Sequence, residues 1–433
     1  MSYLNPKFAV RNLVFPAVFL LTFSVFADEN AAIKDPLLKM GGEIRIRSES
    51  PINFAAFTPV RSPVDDDSFV LLRVRPFIES TPIREIHMYI QPQFSRGFAQ
   101  EESTIANTIN VDDFDLHQGF VDFQHLAGDH LSFRLGRQEL IYGDERLIGA
   151  FNWSNVGRSF DAGKIRAYWD RFSIDGFAAW IQRAAGNQYF GGLYTHWDAR
   201  ETMDVEPYFL ILRDNDGSLG GGDLTLYTVG TRVAGTEGKH WDYGVEGAAQ
   251  FGESGVENIF AYAGHLHGGY TFDTRWKPRV GLEYNIASGD DTPGAGSGVK
   301  TFNNLFPTNH DKYGYMDMVG WRNMHDPRFN FSVSPMEGMK VSLDYHLFFL
   351  VEPADGLYQA SGAQVRAGAA GASRLAGHEI DLLWNYKWNK YATFMAGYSL
   401  FNTGSFFSDT GVDKNAHFIY AQTTVYFDAV VKE

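Results

Sequence analysis

The stretch "GGEIRIRSE", Gly41 to Glu49, decides how the rest of the chain is read. In an extended chain Ile44 and Ile46 fall on one face, and Glu43, Arg45, Arg47 and Glu49 on the other. Alternation with period two marks a β-strand with one apolar and one polar side. "FVLLRVRPFIES" (Phe69 to Ser80) repeats it, with Val70, Leu72, Val74 and Ile78 opposite Arg73, Arg75 and Glu79. "REIHMYIQPQFS" sets Ile86, Met88, Ile90 and Phe94 against Glu85, His87, Gln91 and Gln93. Near the other end, "GHEIDLLWNYKW" opposes Ile380, Leu382, Trp384 and Tyr386 to Glu379, Asp381, Asn385 and Lys387. Turn formers such as "DNDGSLGGG" and "SGDDTPGAGSG" separate the runs. About 18 such segments lie between Gly41 and Phe427, with no linker dividing them.

Composition narrows the class. The 433 residues include 44 Gly, 36 Phe, 21 Tyr and 9 Trp, an aromatic fraction of 15% that suits a β-rich chain. The absence of Cys excludes a disulfide framework and thiolate chemistry. It agrees with an oxidising compartment, where stray thiols would be a liability. A net charge of −15 argues against nucleic acid as partner, because phosphate binding needs a basic footprint.

The N-terminus reads as an export signal. Lys7 and Arg11 precede an apolar run from Leu13 to Phe26, and Val25 and Ala27 occupy the small-residue cleavage positions before Asp28. Residues 1–27 are therefore expected to be a signal peptide. Its removal takes away Lys7 and Arg11 and leaves a charge of −17. No later stretch is apolar enough for a transmembrane helix.

Exported strands whose polar faces are rich in charge need an explanation that a soluble sandwich does not supply. A propeller would repeat every 40 to 50 residues or so, and no such repeat occurs. Antiparallel strands that are apolar outside and polar inside form outer-membrane barrels, whose closure leaves no edge unpaired in hydrocarbon. The sequence thus predicts an all-β transmembrane antiparallel barrel of about 18 strands with a charged lumen. The barrel domain is expected over 28–427, where "FIYAQTTVYF" ends on Phe427, with a short tail at 428–433.

On this reading Arg45, Arg47, Arg73, Arg75, Arg134 and Arg166 face the lumen, as do acidic residues including Asp344, Glu379 and Asp381. Each arginine has two readings, a wall pair that holds the barrel or part of a charge-selective path. Enzymatic readings find little support. No G-x-S-x-G elbow occurs, and no Ser/His/Asp set is marked by spacing. His265 and His267 share a strand face without the companions of a zinc site. Asp290 and Asp291 lack the spacing of a Ca²⁺ loop and read as a solvated turn. No cofactor, metal or enzymatic activity is expected.

The block "RLGRQELIYGDERLIGAFNWSNVGRSFDAGKIRAY", Arg134 to Tyr168, resembles the signature region of the alginate export family of outer-membrane porins. "GWRNMHDPRFNFSVSP", "VSLDYHLFFLVEPADGLYQASG", "GHEIDLLWNYKW" and "AGYSLFNTGSFF" are similar in kind. The resemblance implies a monomeric barrel of 18 strands that passes an anionic uronic-acid polysaccharide through an arginine-lined constriction. Carried over by motif, the pathway residues would be Arg134, Arg137, Arg146, Arg158 and Arg166 with Glu139, Asp144 and Asp161. Asp344, His346, Glu379 and Asp381 follow from the C-terminal motifs, and Arg73 and Arg75 from an early strand. The expected partners are an anionic poly- or oligosaccharide and outer-membrane lipid, with room for a periplasmic export partner. A general or small-solute porin is the alternative, and a barrel enzyme or structural outer-membrane protein ranks third. The net charge of −17 would repel a polyuronate, so any attraction must be local; screening cuts distant charges off beyond about 10 Å at 0.1 M salt.

Overall fold

The computed structural model describes residues 37–54, 68–98, 110–183, 186–215, 223–294, 296 and 298–431. The expected signal peptide lies outside the described residues. The strands are β1 (Leu37–Ile52), β2 (Phe69–Ile83), β3 (Ile86–Phe98), β4 (Asp112–His125), β5 (Leu131–Gln138), β6 (Phe160–Trp169) and β7 (Phe172–Arg183). They continue as β8 (Gly186–Arg200), β9 (Met203–Asp214), β10 (Leu224–Glu237), β11 (Trp241–Ser254), β12 (Glu257–Thr271) and β13 (Arg279–Ala287). The remainder are β14 (Met324–Val333), β15 (Met339–Phe349), β16 (Leu357–Tyr358), β17 (Gln364–Arg366), β18 (Leu375–Lys387), β19 (Ala392–Thr403) and β20 (Ala416–Val431). All but β16 and β17 join one 18-stranded antiparallel sheet. β1 pairs with β2 on one side and β20 on the other, so the sheet closes into a barrel. The count agrees with the number of alternating segments in the sequence. β16 and β17 form a separate hairpin within the β15–β18 connection.

Alternation sorts the side chains as the sequence pattern requires. On β1, Ile46 is 52% exposed on the outer face while Arg45 and Arg47 are buried in the lumen. Leu135, Ile165, Leu193, Leu266, Leu282 and Leu382 are likewise large, apolar and exposed outward. In water such a surface would aggregate; in a bilayer it is the lipid-facing band.

The two barrel ends differ. Connections such as 84–85, 170–171 and 201–202 are tight turns, whereas 139–159, 288–323 and 350–374 are long. Short turns on the periplasmic side and long loops outside are the usual asymmetry of bacterial barrels. Trp169, Trp197, Trp241, Trp276, Trp388 and Tyr391 are exposed at or near the short-turn ends, where amphipathic rings sit at the membrane interface.

The C-terminal strand departs from expectation. The ladder does not stop at Phe427: Leu38 pairs with Val431 and Gly42 with Phe427. Residues 428–431 are therefore strand rather than a tail, because β1 starts at Leu37, before the alternation that made it visible, and offers them a partner.

Ile46 lies near the middle of β1 on the lipid face, so Ile46→Arg is expected to cost about 2–4 kcal/mol. Reversible unfolding in lipid vesicles measures it, and an unchanged stability would place that face away from lipid.

Candidate functional site

Long loops fold into the lumen. Residues 139–159, between β5 and β6, and 288–323, between β13 and β14, fold inward and pair with each other. Ile148 and Phe306 form a parallel bridge. Gly149 N donates to Phe306 O at 2.9 Å, Phe306 N to Leu147 O at 2.9 Å and Thr308 N to Glu145 O at 2.9 Å. Leu140, Leu147, Ile148, Phe302, Phe306, Tyr313, Met316 and Trp321 from these loops pack with Phe160, Phe190 and Leu210 of the wall into one buried cluster. The third long loop joins them: Gly320 N donates to Tyr358 O, and Asn323 Nδ2 to the carbonyls of Glu352 and Gly356.

Loop backbone inside a barrel lacks a ladder for its carbonyls, and buried carbonyls need donors. Four arginines of β1 and β2 supply them. Arg45 and Arg73 face each other across the β1–β2 ladder, a like-charge pairing unfavourable by itself. Their guanidinium groups converge on the carbonyls of Asn152, at 2.6 and 3.0 Å, and Ser154, at 2.9 and 3.1 Å. Arg47 Nη1 donates to Trp153 O at 2.6 Å, and its guanidinium stacks 3.7 Å from the Trp153 ring centre. Arg75 reaches Asn152 Oδ1 and Val156 O, both at 2.7 Å. Glu43 and Glu49 pair with Arg73 and Arg47 at 2.6 Å. The planar fork of arginine suits this use, since one side chain satisfies two or three oxygens.

The matched block supplies the loop's other anchors. Glu139 Oε1 lies 2.8 Å from His117 Nε2 and accepts from Asn152 Nδ2 at 3.1 Å. Arg158 donates to the carbonyls of Gly149 and Pro307, stitching the two loops together. Arg146 crosses the lumen to β12 and β13, donating to His265 Nε2, Asn285 Oδ1, Glu283 Oε1 and the Tyr313 hydroxyl at 3.0–3.3 Å. Asp144 pairs with Arg146 at 3.1 Å and with Lys312 at 3.2 Å. Burial works against the Asp144 carboxylate, but Arg146 and Lys312 more than offset it and hold its pKa below the ordinary value.

The remaining sequence candidates divide between wall and exterior. Arg134 makes a two-pronged pair with Asp122 and Arg166 with Asp175, both on the inner wall, with guanidinium side chains 27% and 46% exposed. Arg137 and Asp161 instead share the outward parity of Leu135 and Ile165 and pair with each other at 2.8 Å, with Asp115 beside them. Three residues beyond Arg134 is an odd step along a strand, which turns Arg137 to the opposite face. Asp344 accepts from Arg328 and Asn330, and His346 Nδ1 meets Asp326 at 3.0 Å. Glu379 and Asp381 are wholly buried on the lumenal side of β18.

Sequence reading passed over several lumenal cations. Lys164 lies opposite Arg134 in register, Arg232 pairs with Glu206, Arg279 with Asp242 and Arg328 with Glu283. Strand parity carries the signal: Arg328, for example, precedes outward Phe329. Of possible metal-ligating groups among the described residues, His196, Asp198 and Asp204 place three ligand atoms within 4.8 Å on the inner face of β8 and β9. His265 and His267 are bonded to each other at 2.8 Å. Asp291 pairs with Lys300, as a solvated turn would.

Removing the Arg146 charge strips five partners at once. Arg146→Met is expected to destabilise the folded barrel by about 3 kcal/mol, since a buried carboxylate loses its counter-ion. Denaturant unfolding checks this; a change under about 0.5 kcal/mol would show that Arg328 alone suffices for Glu283.

The profile of a family described as "Alginate export" matches residues 37–422. No curated protein matches the sequence. Among solved structures, OccK5 (OpdH) of Pseudomonas aeruginosa is similar with a TM-score of 0.61 at 7% identity, covering 91% of this chain and 98% of that one. The outer membrane protein OprD of Pseudomonas aeruginosa gives 0.60 at 11% identity, covering 90% and 94%. OccAB1 of Acinetobacter baumannii gives 0.58 at 12% identity, covering 90% and 97%. At these identities the likeness is one of fold. With the family profile running from the first barrel strand into the last, the chain belongs to the alginate export family, as a channel-type barrel of the bacterial outer membrane.

Proposed function

We propose that this channel passes anionic oligo- or polysaccharide, alginate-like in chemistry, by facilitated diffusion. The observation that carries the reading is the accessible cationic patch on the inner wall of β5 and β6. Arg134, Lys164 and Arg166 cluster there against two carboxylates, Asp122 and Asp175, and the two guanidinium groups stay partly exposed. Arg45, Arg47, Arg73, Arg75 and Arg158 are engaged by loop carbonyls, and Arg146 by side chains of the opposite wall. In this reading they set the position of the loops that bound the path, while Arg134 and Arg166 meet the cargo. A carboxylate passing the patch exchanges among several weak cationic contacts, none deep enough to trap it. The family and fold point to transport rather than catalysis. The same geometry serves export or uptake, since diffusion follows the gradient.

A unit charge about 8 Å from a permeating ion in water acts with about 0.5 kcal/mol. Reversing its sign therefore shifts anion preference about two- to fivefold once salt screening is included. Planar-bilayer recordings of the wild type are expected to show anion preference and block by polyuronate, with Arg134→Glu and Arg166→Glu each lowering the preference by that factor. Cation selectivity without block would assign the chain to the general, small-solute porins instead.

A further inference from the structure

β18 carries two carboxylates that the account so far leaves without a purpose. Glu379 and Asp381 stand two residues apart on the lumenal face, while Leu382, on the other parity, is exposed outward. Both carboxylates are completely buried. Glu379 Oε1 accepts one hydrogen bond, from Met316 N at 2.9 Å. Glu379 Oε2 and both Asp381 oxygens accept none from the protein. A buried carboxylate without a donor or counter-charge is among the least stable arrangements a fold can hold, so something must balance this pair.

The surrounding charges do not. Asp381 lies between Asp344 of β15 and Ser399 of β19 in register, and Glu379 lies opposite His346. Arg328 is engaged by Asp344 and Glu283, His310 by Asp317, and His346 by Asp326 through Nδ1, while His346 Nε2 is buried without a hydrogen-bond partner. Arg47, on the far side of Tyr420, is taken by Glu49 and the Trp153 carbonyl. What does surround the carboxylates is further oxygen. Ser399 Oγ, across the ladder from Asp381, is buried without a partner, and so is the hydroxyl of Tyr420, which neighbours Asp381. Five unpartnered oxygens from three adjacent strands, with the unpartnered Nε2 of His346 on the neighbouring strand, form a donor set dominated by oxygen, the chemistry that hard cations take.

We propose that Glu379 and Asp381, with the hydroxyls of Ser399 and Tyr420, bind a Ca²⁺ ion that fastens the 288–323 loop to the barrel wall. Ca²⁺ fits better than Mg²⁺, because it accepts irregular sets of six to eight or so oxygens, whereas Mg²⁺ holds on to its waters and demands an octahedron. The link to the loop is short. Met316 N already bonds Glu379, and Gly314, at φ +88°, passes so close that a Cβ there would meet the Glu379 carboxylate at 2.5 Å. An ion on Glu379 would fix this approach, and its loss would leave mutually repelling carboxylates beneath the loop. The site holds whether the cargo is a polyuronate or a small solute, so its test is independent of that question.

The test is calorimetric titration of CaCl₂ into the full barrel, purified in detergent and stripped with EDTA, paired with thermal unfolding. The wild type is expected to bind one Ca²⁺ and to unfold at a higher temperature when loaded. Asp381→Asn and Glu379→Gln should weaken binding at least tenfold, and Tyr420→Phe and Ser399→Ala less, the last two guarding against a variant that fails to fold. MgCl₂ at equal concentration should compete poorly. No binding at millimolar Ca²⁺ would overturn the proposal, as would binding that survives Asp381→Asn. A stability that ignores Ca²⁺ but rises from pH 7 to pH 5 would assign the pair a shared proton instead.

Discussion

The structure depends on the contact between four buried arginines of β1 and β2 and the backbone carbonyls of residues 152–156. A barrel of 18 strands is wide enough to leave an open lumen, and an irregular loop that enters it brings carbonyl groups no ladder can satisfy. Arg45 and Arg73 stand opposite each other, so the wall alone would be strained by their repulsion. The carbonyls of Asn152 and Ser154, each shared by both guanidinium groups, relieve the two problems together. Loop and arginines are therefore one unit: either alone leaves buried polar groups unpaired.

From that contact the interior is built outward. With residues 139–159 in place, Phe306 and Ile148 can bridge, Arg146 can reach the far wall, and the second loop acquires an apolar bed. The molecule is thus inverted relative to a soluble protein. Its outer face carries Ile, Leu and Trp for lipid, and its inner core is made of loops packed against the inner face of the sheet. Under the proposed function, permeation is governed by where the loops stop, and the buried arginines act on selectivity only by holding those loops. Arg134, Lys164 and Arg166 gather on β5 and β6 around Asp122 and Asp175, so the local field there differs from what the net charge implies.

The barrel was legible because its signal is local. Ile44/Arg45/Ile46/Arg47 alternates within four residues, and the lipid and lumen faces are each enforced by a different solvent. The count of strands followed from the same rule. The arginine clamp was not legible, because Arg45 and Asn152 are 107 residues apart and aperiodic loops announce no partner. Parity identified Arg45, Arg47, Arg73 and Arg75 as inward but could not tell a guanidinium facing water from one facing a carbonyl. For Arg137 and Asp161 the family block gave no direction; strand parity with outward Leu135 and Ile165 gives it, and the ladder pairs the two on that face. The last strand ran past Phe427 because its partner, β1, begins before any alternation.

The central claim is that the arginine clamp holds residues 139–159 inside the barrel. Because the chain has no cysteine, Ser154→Cys creates a single thiol at a buried position between Arg45 and Arg73. Its rate of reaction with a bulky, membrane-impermeant maleimide, in barrels embedded in membrane, measures the claim directly. The account predicts slow labelling with the arginines intact and rapid labelling once Arg45→Ala and Arg73→Ala are added. Rapid labelling with both arginines present would contradict it.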